Sequence, residues 1–382
     1  MKYFLIAGEP SGDLHGANLM RGILVADPEA EFRFWGGDEM VKVGGAEGLG
    51  LHYRESSFFG FVQVVKHLPT ILRQVRLCER QIEEFAPDVV VGIDYAGFNL
   101  RMMKFAKELG IKTFFYIAPK VWAWKESRIE RIKKYVDELF VIFPFEVEYF
   151  RERGVEAHFE GNPLVDAIAE RCDELASREA FVADCGLDGR PIVALLAGSR
   201  VSEIRDNLPL MERIAGAFDG YQFVVAGVDW IEQGEYDKVL RHSDIALVKG
   251  ATYELLKHSE AAVVTSGTAT LETALIGTPQ VVVYRIPWLH EKLRPWFLKI
   301  PYISLVNINL GREAVREIVR STLDPAEAIE ALRGVLCGGE ERSRVVEDYA
   351  ELRRIIGERG ASERFAWRMV SLLKSYKRQN KI

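Results

Sequence analysis

The residues of this 382-residue chain best suited to chemistry stand where apolar runs give way to small and polar residues. Asp94 closes the run PDVVVGID and is followed by YAGFN. A carboxylate at the end of a buried strand, at the mouth of a cleft with apolar walls, has its pKa raised toward the working range of a general base. An aspartate capping a helix that begins near Gly97 would occupy the same place. Near the start, AGEPSGD carries Glu9, Ser11, Gly12 and Asp13 through a tight turn into a helix whose free N–H groups suit an anion or a sugar hydroxyl. Helix capping by Ser11 and Asp13 is the alternative. The motif is neither a dinucleotide fingerprint nor a P-loop.

Two later loops suit a phosphate. In AGSR, Ser199 and the N–H groups after it can hold one, and Arg200 can add a bidentate contact, unless it simply pairs with Glu203 at the surface. In TSGTATLE, Ser266, Gly267 and Thr268 lead from a strand into a helix whose positive end attracts phosphate. Glu272 then falls within reach of a ribose diol, or merely sits on a solvated face behind a capped helix start. With no Asp-x-Asp pair, no H-E-x-x-H and no cysteine cluster, neither a metal nor another cofactor is expected. A departing phosphate would then depend on Arg200 and helix N-termini.

Aromatic and basic residues interleave in the segment from Tyr284 to Asn307, at Trp288, Lys292, Arg294, Trp296 and Lys299. This reads as a surface that touches a membrane, with core packing under a solvated basic face as the competing reading. Smaller signals of the same kind lie at Trp122 and Trp124 and at Phe58, Phe59 and Phe61.

The elements that must position these loops alternate from the first residue. KYFLIAG, FRFWGG, DVVVGID, KTFFYIAP, ELFVIF and AHFEG read as strands, separated by helical periods that include a long amphipathic stretch from Phe61 to Ala86. After a polar, helix-prone segment from Asn162 to Arg190 the alternation restarts with PIVALLAG, YQFVVAG, DIALVK, AAVVTSG and QVVVYR. The expected fold is α/β, two tandem Rossmann-like domains with a cleft between them. We expect an N-terminal domain over residues 1–165, a C-terminal domain over 190–345, and closing helices with a basic tail over 346–382. The tail carries Lys374, Lys377, Arg378 and Lys381.

Composition narrows the classes. Hydrophobic residues at 48% and charged residues at 28% describe a globular chain, neither multi-span membrane protein nor disordered. A net charge of −6 offers no global field for nucleic acid, so no nucleic-acid partner is expected. The apolar run at the start is too short for a signal peptide, and the four cysteines show no C-x-x-C spacing, which points to the cytoplasm.

Taken in order, AGEPSGD, FFGFVQVV, PDVVVGIDYAGFN, YIAPKVWAWKESRIERI, FPFE, GNPLVD, AGSR, SGTATLE and YISLVNINLGRE resemble the lipid-A-disaccharide synthase family over nearly the whole chain. The resemblance implies an inverting glycosyltransferase of the GT-B class in lipid A, and so lipopolysaccharide, biosynthesis. It implies transfer of diacylglucosamine from UDP-diacylglucosamine to the 6-hydroxyl of diacylglucosamine 1-phosphate, giving a β-1,6 disaccharide and UDP. It places Asp94 at the essential acidic position and Arg200 at the donor-side arginine, with Glu9, Ser11, Glu272 and Asn307 on further motif positions and Trp122 and Trp124 matching as a pair. It also implies peripheral work at the inner membrane, and a second copy of the chain is a candidate partner. The sequence departs from the family's usual wording at Gln63 (usually Glu), Asn162 (usually His), Ala197 and Val306 (each usually Pro). Another UDP-sugar enzyme of the same fold, such as a 2-epimerase, and a non-catalytic nucleotide-sugar binder are the alternatives. Asp94 together with Arg200 and an acyl-sized apolar and basic surface favours the transferase.

Overall fold

The computed structural model describes residues 1–56, 68–123, 125–173, 175–241, 244–285, 302–322 and 324–379. Its described strands form two parallel sheets. The first contains β1 (Lys2–Ala7), β2 (Glu31–Gly36), β3 (Leu49–His52), β4 (Val89–Ile93), β5 (Lys112–Tyr116), β6 (Glu138–Val141) and β7 (Ala157–Phe159), in the order β3-β2-β1-β4-β5-β6-β7. The second contains β8 (Ile192–Leu196), β9 (Gln222–Gly227), β10 (Ala246–Lys249), β11 (Ser259–Thr265), β12 (Gln280–Arg285) and β13 (Glu317–Arg320), in the order β10-β9-β8-β11-β12-β13.

Each order runs outward from its first strand to one edge and then returns to that strand's other side. The strand order therefore reverses between β1 and β4 and between β8 and β11, where loops leaving the strand ends splay apart and leave room for a ligand. AGEPSGD and Asp94 flank the first of these points, and AGSR and SGT flank the second. The inner strands are continuous apolar runs with helices on both faces, as VVVGI of β4 and IVALL of β8 show by being buried throughout. The strands β3 (LGLH) and β13 (EIVR) were not expected from the sequence: each is a four-residue edge strand without the long apolar run that marks an inner one.

The chain divides into two compact units, Met1–Asp166 with Ile356–Ile382, and Ala167–Ile355. This corrects the expectation of a separate closing piece over 346–382. Most of helix Arg342–Ile356 belongs to the second unit, where buried Tyr349 accepts a hydrogen bond from Gln280 Nε2 at 3.0 Å. The last helix, Ala361–Gln379, returns to the first unit and lies along α1 (Pro10–Ala26). Its stripe of Phe365, Ala366, Met369, Val370 and Leu373 is buried in the same core as the strands β1, β4, β5 and β6. A small residue is required where the two helices touch, since a Cβ on Gly22 would meet Ala366 Cβ at 2.8 Å. Asp166 fixes the helix start by accepting from the N–H groups of Gly360 (2.6 Å) and Ser362 (3.0 Å). Among the described residues no helix is long and apolar enough to cross a membrane.

Phe365 is fully buried and meets Tyr116 and Phe140 edge-on, at 5.1 and 6.1 Å between ring centres. Phe365→Ala should destabilise the first unit by about 3–5 kcal/mol through lost transfer energy and the cavity left behind. Urea unfolding followed by a probe in that unit measures this, and an unshifted midpoint would mean the last helix contributes little to it.

Candidate functional site

At the end of β4 the backbone does something rare for residues with a side chain: Asp94 and Tyr95 both adopt left-handed conformations, with φ of 46° and 44°. Such conformations cost roughly 1–3 kcal/mol each and persist only where the surroundings impose them. Asn99, fully buried on helix Ala96–Glu108, imposes them here. Its amide nitrogen donates to the carbonyls of Asp94 (2.8 Å), Ile93 (3.2 Å) and Ile6 (3.3 Å), while Asp94 N–H donates to Tyr116 O at 3.0 Å. The Tyr95 ring then turns back over Gly8, where any Cβ would lie 2.5 Å from it, and stacks on Phe98.

The result is a pocket of about 310 Å³ in the first unit, lined among others by Glu9, Asp94, Tyr95, Lys120, Arg128 and Glu146. Asp94 is open to the pocket on one side and enclosed by protein on the others. That enclosure raises its pKa above the ordinary carboxylate value, against the opposing pull of Lys120, the Tyr95 N–H and Arg128. A raised carboxylate facing a polar cavity suits proton abstraction.

Glu146 is the second carboxyl of the pocket, and the sequence reading passed over it. It is 1% exposed and sits in the first turn of helix Pro144–Arg151. Oε2 accepts from the N–H groups of Phe143 (3.1 Å) and Ile142 (3.2 Å), and Oε1 from the Trp122 indole at 2.8 Å. Burial outweighs these bonds and pushes its pKa up to about 7. Trp122, expected at a membrane surface, is instead 7% exposed with its ring edge-on to Phe145, because its N–H is needed inside. A glutamate three residues after Phe143, in FPFE, was the only trace in the sequence, and it reads as a capping residue.

Of the first loop's residues, Glu9 lines the pocket and Ser11 is exposed in the first turn of α1. Asp13 departs from its expected place at a sugar. It is 3% exposed and accepts from Gly37 (2.6 Å), Glu39 (3.0 Å) and Met40 (3.1 Å), so its carboxylate holds the start of helix Asp38–Gly44. Gly12 lets α1 approach β1, where a Cβ would meet Ala7 Cβ at 3.3 Å.

In the second unit the AGSR loop already holds a carboxylate. Glu203 accepts from Ser199 N–H at 2.9 Å and from Arg200 Nη1 at 2.8 Å, and the Arg200 side chain is 75% exposed. Trp230, in the turn that follows β9, donates its indole N–H to Ser199 O at 3.1 Å and was not singled out from sequence. Across β8, Gly267 and Thr268 are exposed at the start of helix Thr268–Ile276, while Ser266 Oγ donates to Ile303 O. Glu272 accepts from Tyr253 OH at 2.8 Å; burial raises its pKa, against the pull of that bond and of Arg171.

Asn307 does not face a ligand. It is fully buried, donates to Val315 O and Glu317 Oε1 at 2.8 Å each, and accepts from Ala314 and Val315 at 2.8 and 2.9 Å. Asn162 is likewise structural, donating to Ile142 O at 3.0 Å. Phe58, Phe59, Phe61, Gln63, Trp124, Trp288, Lys292, Arg294, Trp296 and Lys299 lie outside the described residues. No group of three His, Cys, Asp or Glu residues able to hold a metal occurs among the described residues.

Two doubly wound parallel sheets, each with polar loops at its reversal point, define the GT-B fold shared by nucleotide-sugar glycosyltransferases and 2-epimerases. Among solved structures, the UDP-GlcNAc 2-epimerase from Neisseria meningitidis bound to UDP-GlcNAc aligns with a TM-score of 0.62 at 13% identity, over 97% of this chain and 100% of that one. The kitacinnamycin glycosyltransferase aligns with a TM-score of 0.62 at 15% identity, over 98% of each chain. Sequence then separates the branches. The lipid-A-disaccharide synthetase family model matches residues 3–364, and the lipid-A-disaccharide synthase of Myxococcus xanthus is 35% identical over 381 residues, 97% of each chain. The chain belongs to the lipid-A-disaccharide synthetase family.

The raised pKa of Glu146 means that the folded protein holds this proton more tightly than the unfolded chain does. Its contribution to stability is therefore fully present below about pH 4.5 and lost as pH rises through about 7. Relative to Glu146→Gln, which cannot titrate, the wild type should lose about 3 kcal/mol between pH 4 and pH 8. Urea midpoints of both proteins across that range test this, and parallel profiles would remove Glu146 from the titrating groups.

Proposed function

We propose that this chain transfers the diacylglucosaminyl group of a UDP-linked donor, with inversion, to the 6-hydroxyl of diacylglucosamine 1-phosphate, with Asp94 as the general base. Family membership supports the substrates. The observation that carries the residue assignment is the Asp94 pocket: a carboxylate with a raised pKa, held in a fixed and strained backbone and open to a cavity large enough for a sugar. Inverting displacement needs a base that takes the proton of the attacking hydroxyl as the bond to the sugar's anomeric carbon forms.

The leaving diphosphate belongs, in this reading, to the second unit. The exposed start of helix Thr268–Ile276 offers N–H groups and a positive dipole end. The AGSR loop holds the Glu203 carboxylate through Ser199 N–H and Arg200, which supports its suitability for an anion. The donor's diphosphate would displace Glu203 and take over both contacts. Arg200 then offsets the charge that grows on the diphosphate as the glycosidic bond breaks.

Both substrates carry acyl chains that reside in a bilayer, so we further infer that the enzyme works at the cytoplasmic surface of the inner membrane. The aromatic and basic run from Trp288 to Lys299 is the docking segment we favour, since each Lys or Arg adds about 1 kcal/mol near an anionic leaflet.

Asp94→Asn should lower turnover roughly a hundredfold or more and abolish the acid limb of the pH–rate profile, while UDP binding persists. Wild-type turnover in that variant would end the base assignment. Arg200→Ala should cost on the order of a hundredfold in kcat/KM with little change in stability, because an exposed arginine buries little apolar surface. Steady-state UDP release and thermal unfolding separate the two effects.

A further inference from the structure

We propose that Lys120 and Arg128 form an anion subsite in the Asp94 pocket that takes the phosphomonoester of the acceptor sugar. The proposal rests on the transferase reading above and extends it to residues that the reading does not use. Lys120 comes from the loop after β5 and Arg128 from the start of helix Arg128–Tyr135, and both line the cavity beside Asp94. Lys120 is exposed to it, and among the described residues it has no carboxylate within 4.0 Å. It acts on Asp94 and Glu146 through its field rather than through an ion pair. Arg128 is half-buried beside Arg131, whose like charge, after burial, helps to lower its pKa. A half-buried guanidinium and an ammonium facing one cavity suit a compact dianion, the first through its planar fork and the second as a point charge.

The acceptor's geometry matches this arrangement. Its phosphate at C1 and its hydroxyl at C6 hang from carbons joined by a bridge through the ring oxygen. A site that sets O6 against Asp94 therefore sets the phosphate across the ring oxygen, within reach of other residues that line the same cavity. Glu146, a further carboxyl of the pocket, does not compete for that place, because its oxygens are turned into three N–H donors.

The arrangement also couples binding to basicity. Both cations lower the pKa of Asp94. A bound dianion cancels their field, so the carboxylate becomes a stronger base only when the acceptor is seated. The acid limb of kcat should accordingly lie at higher pH than that of kcat/KM, since the first reports the complex and the second the free enzyme.

The test compares two acceptors, diacylglucosamine 1-phosphate and its dephosphorylated form, with the full-length wild type and the variants Lys120→Gln, Arg128→Gln, the double variant and Lys120→Arg. Wild type should prefer the phosphorylated acceptor by on the order of a hundredfold, mainly in KM. The double variant should bring that preference close to unity, with KM for the UDP donor unmoved, and Lys120→Arg should restore most of what Lys120→Gln loses. Inorganic phosphate should compete with the acceptor in wild type and fail to do so in the double variant. A double variant that loses equal factors on both acceptors, or that keeps the wild-type preference, overturns the subsite. Wild type that forms no disaccharide from either acceptor overturns the transferase reading itself, and the subsite with it.

Discussion

The Asn99 carboxamide is the contact on which the first unit's chemistry depends. One NH₂ group serves three carbonyls at the end of β1 and the end of β4, and so ties together the two strands between which the sheet reverses. The strained turn at Asp94 and Tyr95 exists because this amide and the β5 carbonyl of Tyr116 hold it from both sides. Without that turn the β4 chain would run straight into its helix, and the aspartate would cap the helix instead of facing a cavity. Strain of this kind is stable only in a scaffold that is rigid on its own account, which the buried parallel strands supply.

A second regularity runs through both units. Acidic and amide side chains in the loops divide into those that hold backbone and those that face open space. Asp13, Glu146 and Asn307 spend their oxygens on N–H donors of neighbouring segments. Asp94 is exposed to a cavity. The first group fixes the walls against which the second can be aimed, since a loop that lacked its internal acceptors would leave buried N–H groups unpaired at a cost of about 1–3 kcal/mol each.

Much of this was legible in the sequence because apolar runs ending in small or charged residues are a direct signature of parallel strands and their carboxyl-end loops. That signature located both sheets, Asp94, Arg200 and the SGT helix start. It failed where a side chain's partner is distant in the chain. Asp13 binds N–H groups 24 or more positions away, and Trp122 meets Glu146 across 24 positions, so neither role leaves a local pattern. Lys120 and Arg128 look like ordinary surface cations in a helical stretch, and only the fold sets them beside Asp94. The last helix misled for a related reason: its apolar stripe specifies a buried face, but nothing in the stripe names the unit that buries it.

The return of that helix has a consequence for how the protein is made. The second unit interrupts the first, so about 200 residues must be translated after Asp166 before Phe365 and its neighbours exist. At roughly 5–20 residues per second, α1 and the adjoining face of the first sheet wait on the order of 10–40 seconds with their apolar surface uncovered. A nascent chain in that interval is a natural client for a chaperone that shields hydrophobic surface, and the second unit, continuous in sequence, can finish folding before the first one does.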